Sequence, residues 1–135
     1  MIKLKSLIME VLSRKDIQSI IDRVYPSIVK DLGKSKYVET PVVEIHNNIY
    51  VRMSGIDGSE GEANPHAEYE RSSNKIFLYT PKMDSEEQVI RSLIHEYTHA
   101  LQDPKSVEKY SKLKYQDNPN EQESERAEKD WKKYI

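Results

Sequence analysis

Residues 84–102 read Asp84-Ser-Glu-Glu-Gln-Val-Ile-Arg-Ser-Leu-Ile-His-Glu-Tyr-Thr-His-Ala-Leu-Gln102. At about 100° per residue, the apolar side chains of this stretch fall in one arc of a helix. They are Val89, Ile90, Leu93, Ile94, Tyr97, Ala100 and Leu101. Asp84 and Glu87 are residue types favoured at the N-cap and N3 positions of a helix start. The stretch therefore predicts an amphipathic helix over residues 84–102, with its apolar face in the core.

The opposite side of this helix carries an H-E-x-x-H motif, formed by His95, Glu96 and His99. Residues four apart share a helix face, so the two histidines can bind one metal ion together. Glu96, one position further round, can reach a water on that ion and act as its general base. Catalytic zinc typically has three protein ligands and one open position, so a third ligand is expected elsewhere.

Composition limits what that third ligand can be. The 135 residues suit one domain, and they include four histidines but no cysteine. Disulfides, thiolate zinc sites and a cysteine nucleophile are excluded, which leaves His, Asp or Glu as the third ligand. The net charge of -2 gives no reason to expect a nucleic-acid partner.

The N-terminal third, residues 1–34, predicts two helices. Residues 1–12 are apolar at helical spacing, but Glu10 interrupts the run, which argues against a signal peptide. Ser13 begins a capping pattern for a second helix that Gly33 would end. These helices could pack on the core or dock a partner. No apolar run of about 18 residues is present, so we expect no membrane segment and a cytoplasmic location.

Residues 41–80 change to a β-rich pattern. Short runs at 42–45, 49–53, 67–71 and 75–80 favour strands, and the glycine-rich stretch 54–66 favours a loop. The sequence predicts an α+β fold with a small antiparallel sheet of three or four strands packed on the helix of the motif.

A last helix is predicted over residues 118–134. Asn118, Pro119 and Glu121 are residue types favoured at N-cap, N1 and N3. The start of this helix is crowded with carboxylates, which makes it the obvious source of the third ligand.

The motif at residues 95–102, followed by a helix with a Pro-x-Glu-x-Glu-small pattern, resembles the gluzincin metallopeptidases. It is most similar to their small single-domain members, the minigluzincins, over about residues 84–128. The resemblance implies a small sheet, an active-site helix and a later helix that supplies a glutamate ligand. It also implies that His95 and His99 bind the metal and that Glu96 is the general base.

The glutamate ligand remains open at this point. In related zinc peptidases it is commonly followed by a small residue at +3 and by Asp or Asn at +4. Glu121 fits best, with Ser124 and Glu125 at those positions, and Glu125 could then orient a histidine ring. Glu123 is the alternative, because Glu121 and Glu123 flank the expected buried side of the helix on opposite edges. Glu125 is a third candidate.

The function that follows is a monomeric, zinc-dependent peptidase with one Zn²⁺ per chain and a peptide or protein substrate. We expect the substrate to lie along the strand at residues 75–80. Tyr110, Tyr115 and His66 are candidate donors to the oxyanion.

Two other functions fit the same sequence. One is a zinc-binding protein that keeps the fold without significant proteolysis, as a structural, virion or regulatory component. The other is a latent enzyme, in which a terminal segment or the loop at residues 54–66 covers the cleft.

Overall fold

The computed structural model describes residues 12–47 and 66–135 of the chain. Three of the expected elements therefore lie outside the described residues, wholly or almost wholly. They are the helix at 1–12, the strand at 49–53 and the loop at 54–66.

The first described helix, α1, spans Arg14–Leu32 and has the ends that the sequence predicts. The Ser13 side chain accepts a hydrogen bond from the Asp16 backbone N–H at 3.1 Å, which caps the helix start. Gly33 ends it with a φ of 88°, a conformation open to glycine but strained for other residues. The buried side chains of α1 include Ile17, Ile21, Val24 and Ile28. This helix therefore packs into the core.

The sheet contains three strands, β1 (Val42–His46), β2 (Ala67–Glu70) and β3 (Lys75–Tyr79), in the order β1-β3-β2. β2 and β3 are antiparallel, as expected, but β1 runs parallel to β3, so the expectation of a wholly antiparallel sheet is wrong. The cause is that β1 pairs with β3, the central strand, rather than with β2, which follows it in the sequence. Parallel pairing needs a crossover of a dozen or more residues, and the chain between β1 and β3 is long enough to supply one.

The helix of the motif, α2, spans Glu86–Leu101 and packs against both α1 and the sheet. Its N-cap is Ser85, whose side chain accepts from the Gln88 N–H at 3.1 Å, so the expectation that Asp84 caps it is wrong. The core joins α1, all three strands, α2 and the C-terminal residues Trp131 and Tyr134. Its buried members from β3 and α2 are Ile76, Leu78, Val89, Ile90, Leu93, Ile94 and Tyr97.

After α2 the chain forms a short helix that the sequence analysis missed, α3, at Pro104–Tyr110. Helix α4 then spans Pro119–Glu128 and begins at the expected cap, where Asn118 accepts from the Asn120 N–H. It ends earlier than predicted, because a 3₁₀ turn at Trp131–Tyr134 replaces the rest of the expected helix.

These elements make an α+β fold, with four α-helices and a three-stranded sheet in the described part of the chain. Within residues 12–47 and 66–135, no helix combines the length and apolar character that crossing a membrane requires.

Candidate metal centre

The centre forms where the polar face of α2 meets the start of α4. His95 and His99 lie one turn apart on α2, and His95 is only 9% exposed. Glu121 stands at the N3 position of α4 and faces both rings. The helices approach closely here because Ser124, a small residue, is fully buried beside His99.

Three donor atoms converge at this crossing. Glu121 Oε1 lies 3.0 Å from His95 Nε2 and 3.0 Å from His99 Nε2. All three donors lie within 4.8 Å of one another, so the group could hold a metal ion. A tetrahedral zinc ion with bonds of about 2.0–2.1 Å separates its ligands by about 3.3 Å. The distances from Glu121 are close to that spacing.

The other nitrogen of each ring also faces an oxygen. His95 Nδ1 lies 2.7 Å from Glu128 Oε2, and His99 Nδ1 lies 2.8 Å from Gln102 Oε1. A neutral imidazole has one N–H and one lone pair, so it cannot donate at both nitrogens. With Nδ1 donating, Nε2 turns a lone pair toward the Glu121 carboxylate. A shared cation at that point satisfies all three atoms, which is the arrangement of a metal centre with supporting hydrogen bonds.

The structure separates the three candidate glutamates. Glu121 joins the histidines, whereas Glu123 points elsewhere and accepts from Gln102 Nε2 at 2.8 Å. Glu125 is exposed and lines the adjoining cavity. The carboxylate that holds a histidine ring is Glu128, so the expected role of Glu125 in orienting a ring is wrong.

Two arginines hold the surroundings of the histidines in place. Arg91 Nη1 donates to Glu128 Oε1 at 3.2 Å, and its Nε donates to Glu87 at 2.8 Å. Arg71 Nη2 donates to the backbone carbonyls of His99 at 2.8 Å and Gln102 at 3.2 Å. The Arg71 guanidinium thus satisfies two carbonyls at the C-terminal end of α2 and places a positive charge where the helix dipole favours one.

A cavity of about 1170 Å³ opens beside the three donors. One wall is β2, a second is the polar face of α2, and a third is the chain from Val107 to Asn118 together with α4. Glu96 lies in the wall from α2 and is 9% exposed. Burial raises the pKa of Glu96, although the nearby histidines act in the opposite direction.

The pKa values of the three donor groups reflect their contacts with one another. Burial alone would lower the pKa of His95, but hydrogen bonds to Glu121 and Glu128 outweigh it and raise that pKa to about 10. The pKa of His99 is raised as well, with the Glu121 hydrogen bond again outweighing burial. For Glu121, burial is outweighed by the hydrogen bonds from both histidines, which lower its pKa to about 2. The cluster therefore favours an ionised carboxylate beside positive charge.

Of the candidate oxyanion donors, Tyr115 contacts one of the three donor residues directly. Its hydroxyl is 3.4 Å from His95 Nε2, and its ring lies parallel to the His95 ring. Burial, followed by neighbouring carboxylates such as Glu121, raises the pKa of Tyr115, so the phenol keeps its proton. His66 lines the same cavity from the β2 side, whereas Tyr110 is not part of its lining.

The strand beside the cavity is not the expected one. β3 lies at the centre of the sheet, with both edges paired, so it cannot accept an added strand. Among the described strands, β2 is the one beside the cavity, and its residues Ala67, Glu68 and Tyr69 line it. The expectation that a substrate lies along residues 75–80 is therefore wrong, because a new strand needs unpaired backbone groups.

Sequence reasoning also missed Glu128 and Gln102. Glu128 lies seven residues after Glu121, which is two turns, so both carboxylates stand on one face of α4. That spacing was a signal in the sequence. Gln102 follows His99 by three residues, which also places it on the same face, but the motif directs attention only to His95, Glu96 and His99.

Comparisons with protein-family models, with curated proteins and with solved structures found no match to this chain. The case for a function therefore depends on the donor atoms, the cavity beside them and the motif that supplies them.

Proposed function

We propose that this chain is a zinc-dependent peptidase of the gluzincin type, with His95, His99 and Glu121 as ligands and Glu96 as general base. One observation carries the proposal. Glu121 Oε1 lies at 3.0 Å from the Nε2 atoms of both histidines, while the Nδ1 atom of each ring faces its own oxygen acceptor.

The donor set suits zinc. Two imidazoles and one carboxylate, without thiolate, leave a fourth position open and are typical of catalytic zinc sites. A bound Zn²⁺ supplies Lewis acidity, which polarises a carbonyl and lowers the pKa of a water. The acceptor that faces each Nδ1 atom would then hold that ring in the orientation of a ligand. Glu128 orients His95, and Gln102 orients His99.

Glu96 moves the proton in the proposed reaction. Its carboxylate takes a proton from the attacking water as the water oxygen bonds to the peptide carbonyl carbon. It then delivers that proton to the amide nitrogen as the C–N bond breaks, and the products are a carboxylate and an amine. The raised pKa of Glu96 moves this carboxyl toward the range in which it can both accept and return a proton.

The remaining walls of the cavity position a peptide. β2 forms one wall, where Ala67, Glu68 and Tyr69 line the cavity, and an extended substrate would lie along it. On the opposite wall, the Tyr115 hydroxyl is in place to donate to the oxygen that becomes negative during attack. The substrate would thus be held between β2 and the chain that leads into α4.

The metal proposal is tested first. Purified protein should contain about one zinc per chain, as expected for a catalytic centre of this kind. His99→Ala and Glu121→Ala should each lose it, whereas Glu123→Ala should keep most of it. Equal zinc content in the wild type and the three variants would contradict the proposed metal centre.

The peptidase proposal is tested next, with a peptide library and the variants Glu96→Ala and Glu96→Gln. Both should retain zinc and lose cleavage. Equal cleavage in wild type and Glu96→Ala would contradict the mechanism. Zinc retained with no cleavage by wild type would favour the alternative, a zinc-binding protein without proteolysis.

A further inference from the structure

Gln102 ends α2 and is buried against α4, with 6% of its surface exposed. Its side-chain nitrogen Nε2 donates to the Asn120 backbone carbonyl at 2.9 Å and to Glu123 Oε1 at 2.8 Å. Its oxygen Oε1 lies 2.8 Å from His99 Nδ1. Every polar atom of the carboxamide therefore has a partner in the protein.

These partners fix the direction of the carboxamide. A backbone carbonyl and a carboxylate can only accept, so the NH₂ group must face them. If the amide were reversed, its oxygen would face two other oxygens, and its NH₂ group would point at His99 Nδ1. Two partly buried hydrogen bonds would be lost, each of which contributes on the order of 1 kcal/mol.

We propose that Gln102 is a positioning residue for His99, and that Glu123, together with the Asn120 carbonyl, fixes the direction in which the Gln102 carboxamide points. The amide oxygen requires a proton on His99 Nδ1. His99 must then present the lone pair of Nε2 to the metal position. The inference rests on the proposed metal centre, because it assigns the atom that His99 offers to the ion.

The two histidines are supported in unlike ways. His95 faces Glu128, whose carboxylate accepts through either oxygen, so turning it by 180° still leaves an acceptor facing the ring. His99 faces an amide, which accepts at one end and donates at the other. Only the His99 support therefore needs a residue that selects its direction. The Glu123 side chain fills that need together with the Asn120 carbonyl.

The test substitutes Glu123, which is exposed, so the core stays intact. Glu123→Lys replaces an acceptor by a donor and favours the reversed Gln102 amide. Glu123→Gln keeps an acceptor oxygen. Glu125→Lys, two residues further along and also exposed, makes the same charge change outside the side-chain hydrogen bonds of Gln102 and serves as the control.

Zinc affinity is measured by competition with a chromogenic chelator. Loss of a supporting hydrogen bond typically weakens metal binding about 10- to 100-fold. Glu123→Lys should weaken zinc binding at least about tenfold more than the Glu125→Lys control does. The zinc affinity of Glu123→Gln should stay within about twofold of the wild-type value. Equal losses in the two lysine variants would overturn the proposal, since charge alone would then explain them.

A second readout needs neither zinc nor activity. Proton NMR cross-peaks from the Gln102 NH₂ group should connect it to the Glu123 side chain in the metal-free wild type. In Glu123→Lys they should connect it to the His99 ring. Cross-peaks to His99 in wild type would overturn the assigned direction. If wild type binds no zinc, the proposed function fails while this measurement still decides the orientation of Gln102.

Discussion

Glu128 Oε2 lies 2.7 Å from His95 Nδ1, on the opposite side of the ring from Glu121. The two glutamates come from one face of α4 and hold the ring between them. Arg91 donates to the second oxygen of Glu128 and so holds this carboxylate in the orientation that faces the His95 ring.

Removing Glu128 should weaken metal binding without removing a ligand. Glu128→Ala leaves His95 Nδ1 unsupported, and we expect zinc affinity to fall about 10- to 100-fold. Glu128→Gln can still accept through its amide oxygen and should lose less. Chelator competition measures both, with Glu125→Ala as the control from the same helix. Unchanged affinity in Glu128→Ala would show that this contact does not support the ligand.

The metal-free protein should be most stable between about pH 4.5 and pH 6.5. The pKa of His95 is raised from 6.5 to about 10, so its stabilising charge is complete below 6.5 and is lost as the pH rises through 10. The pKa of Glu121 is lowered from 4.5 to about 2, so its contribution is complete above 4.5 and is lost as the pH falls toward 2.

Urea unfolding with a chelator present tests this profile. The midpoint should drop between about pH 5.5 and about pH 9.5, and Glu121→Gln should show a smaller drop. Saturating zinc should remove much of the alkaline loss, because the ion then replaces the protons on the rings. A midpoint that is independent of pH in the metal-free wild type would contradict the ion pairs.

Helix α2 should depend on Ser85 rather than on Asp84 for its start. Ser85→Ala removes the acceptor for the Gln88 N–H and should lower the free energy of unfolding by about 1 kcal/mol. Asp84→Ala should cost well under that amount. Chemical denaturation of both variants compares them directly, and a larger loss in Asp84→Ala would restore the sequence-based cap.

Tyr115→Phe should slow catalysis while leaving the metal in place. Removing one oxyanion donor costs about 10²- to 10³-fold in kcat where the donor acts in the transition state. Tyr110→Phe is the control, since Tyr110 is outside the cavity lining and its ring contacts Lys109. Zinc content and peptide cleavage are measured for both, and equal kcat values in the two variants would assign the donor elsewhere.

The sequence was sufficient where local chemistry decides the outcome. The caps at Ser13 and Asn118, the end of α1 at Gly33 and the apolar arc of α2 all follow from short-range patterns. The α+β architecture follows from the same patterns, because each segment favours one kind of element.

Long-range pairing could not be read in the same way. The parallel partner of β1 depends on the path of the chain across the sheet, and the choice between Glu121 and Glu123 depends on how α4 is rotated against α2. Ser124 is the residue of α4 that this rotation buries at the crossing. A pattern of alternating acids does not contain this information.

The single buried residue of α4, Ser124, has a consequence for its local stability. The helix carries Glu121 and Glu128 but contributes little apolar surface, so polar contacts with α2 hold much of it in place. Such a segment is expected to open locally before the core does. Amide hydrogen exchange should therefore be faster in α4 than in α2, and bound zinc should slow exchange mainly in α4. The ion would then link α2 to α4, and its release would begin with local unfolding of α4.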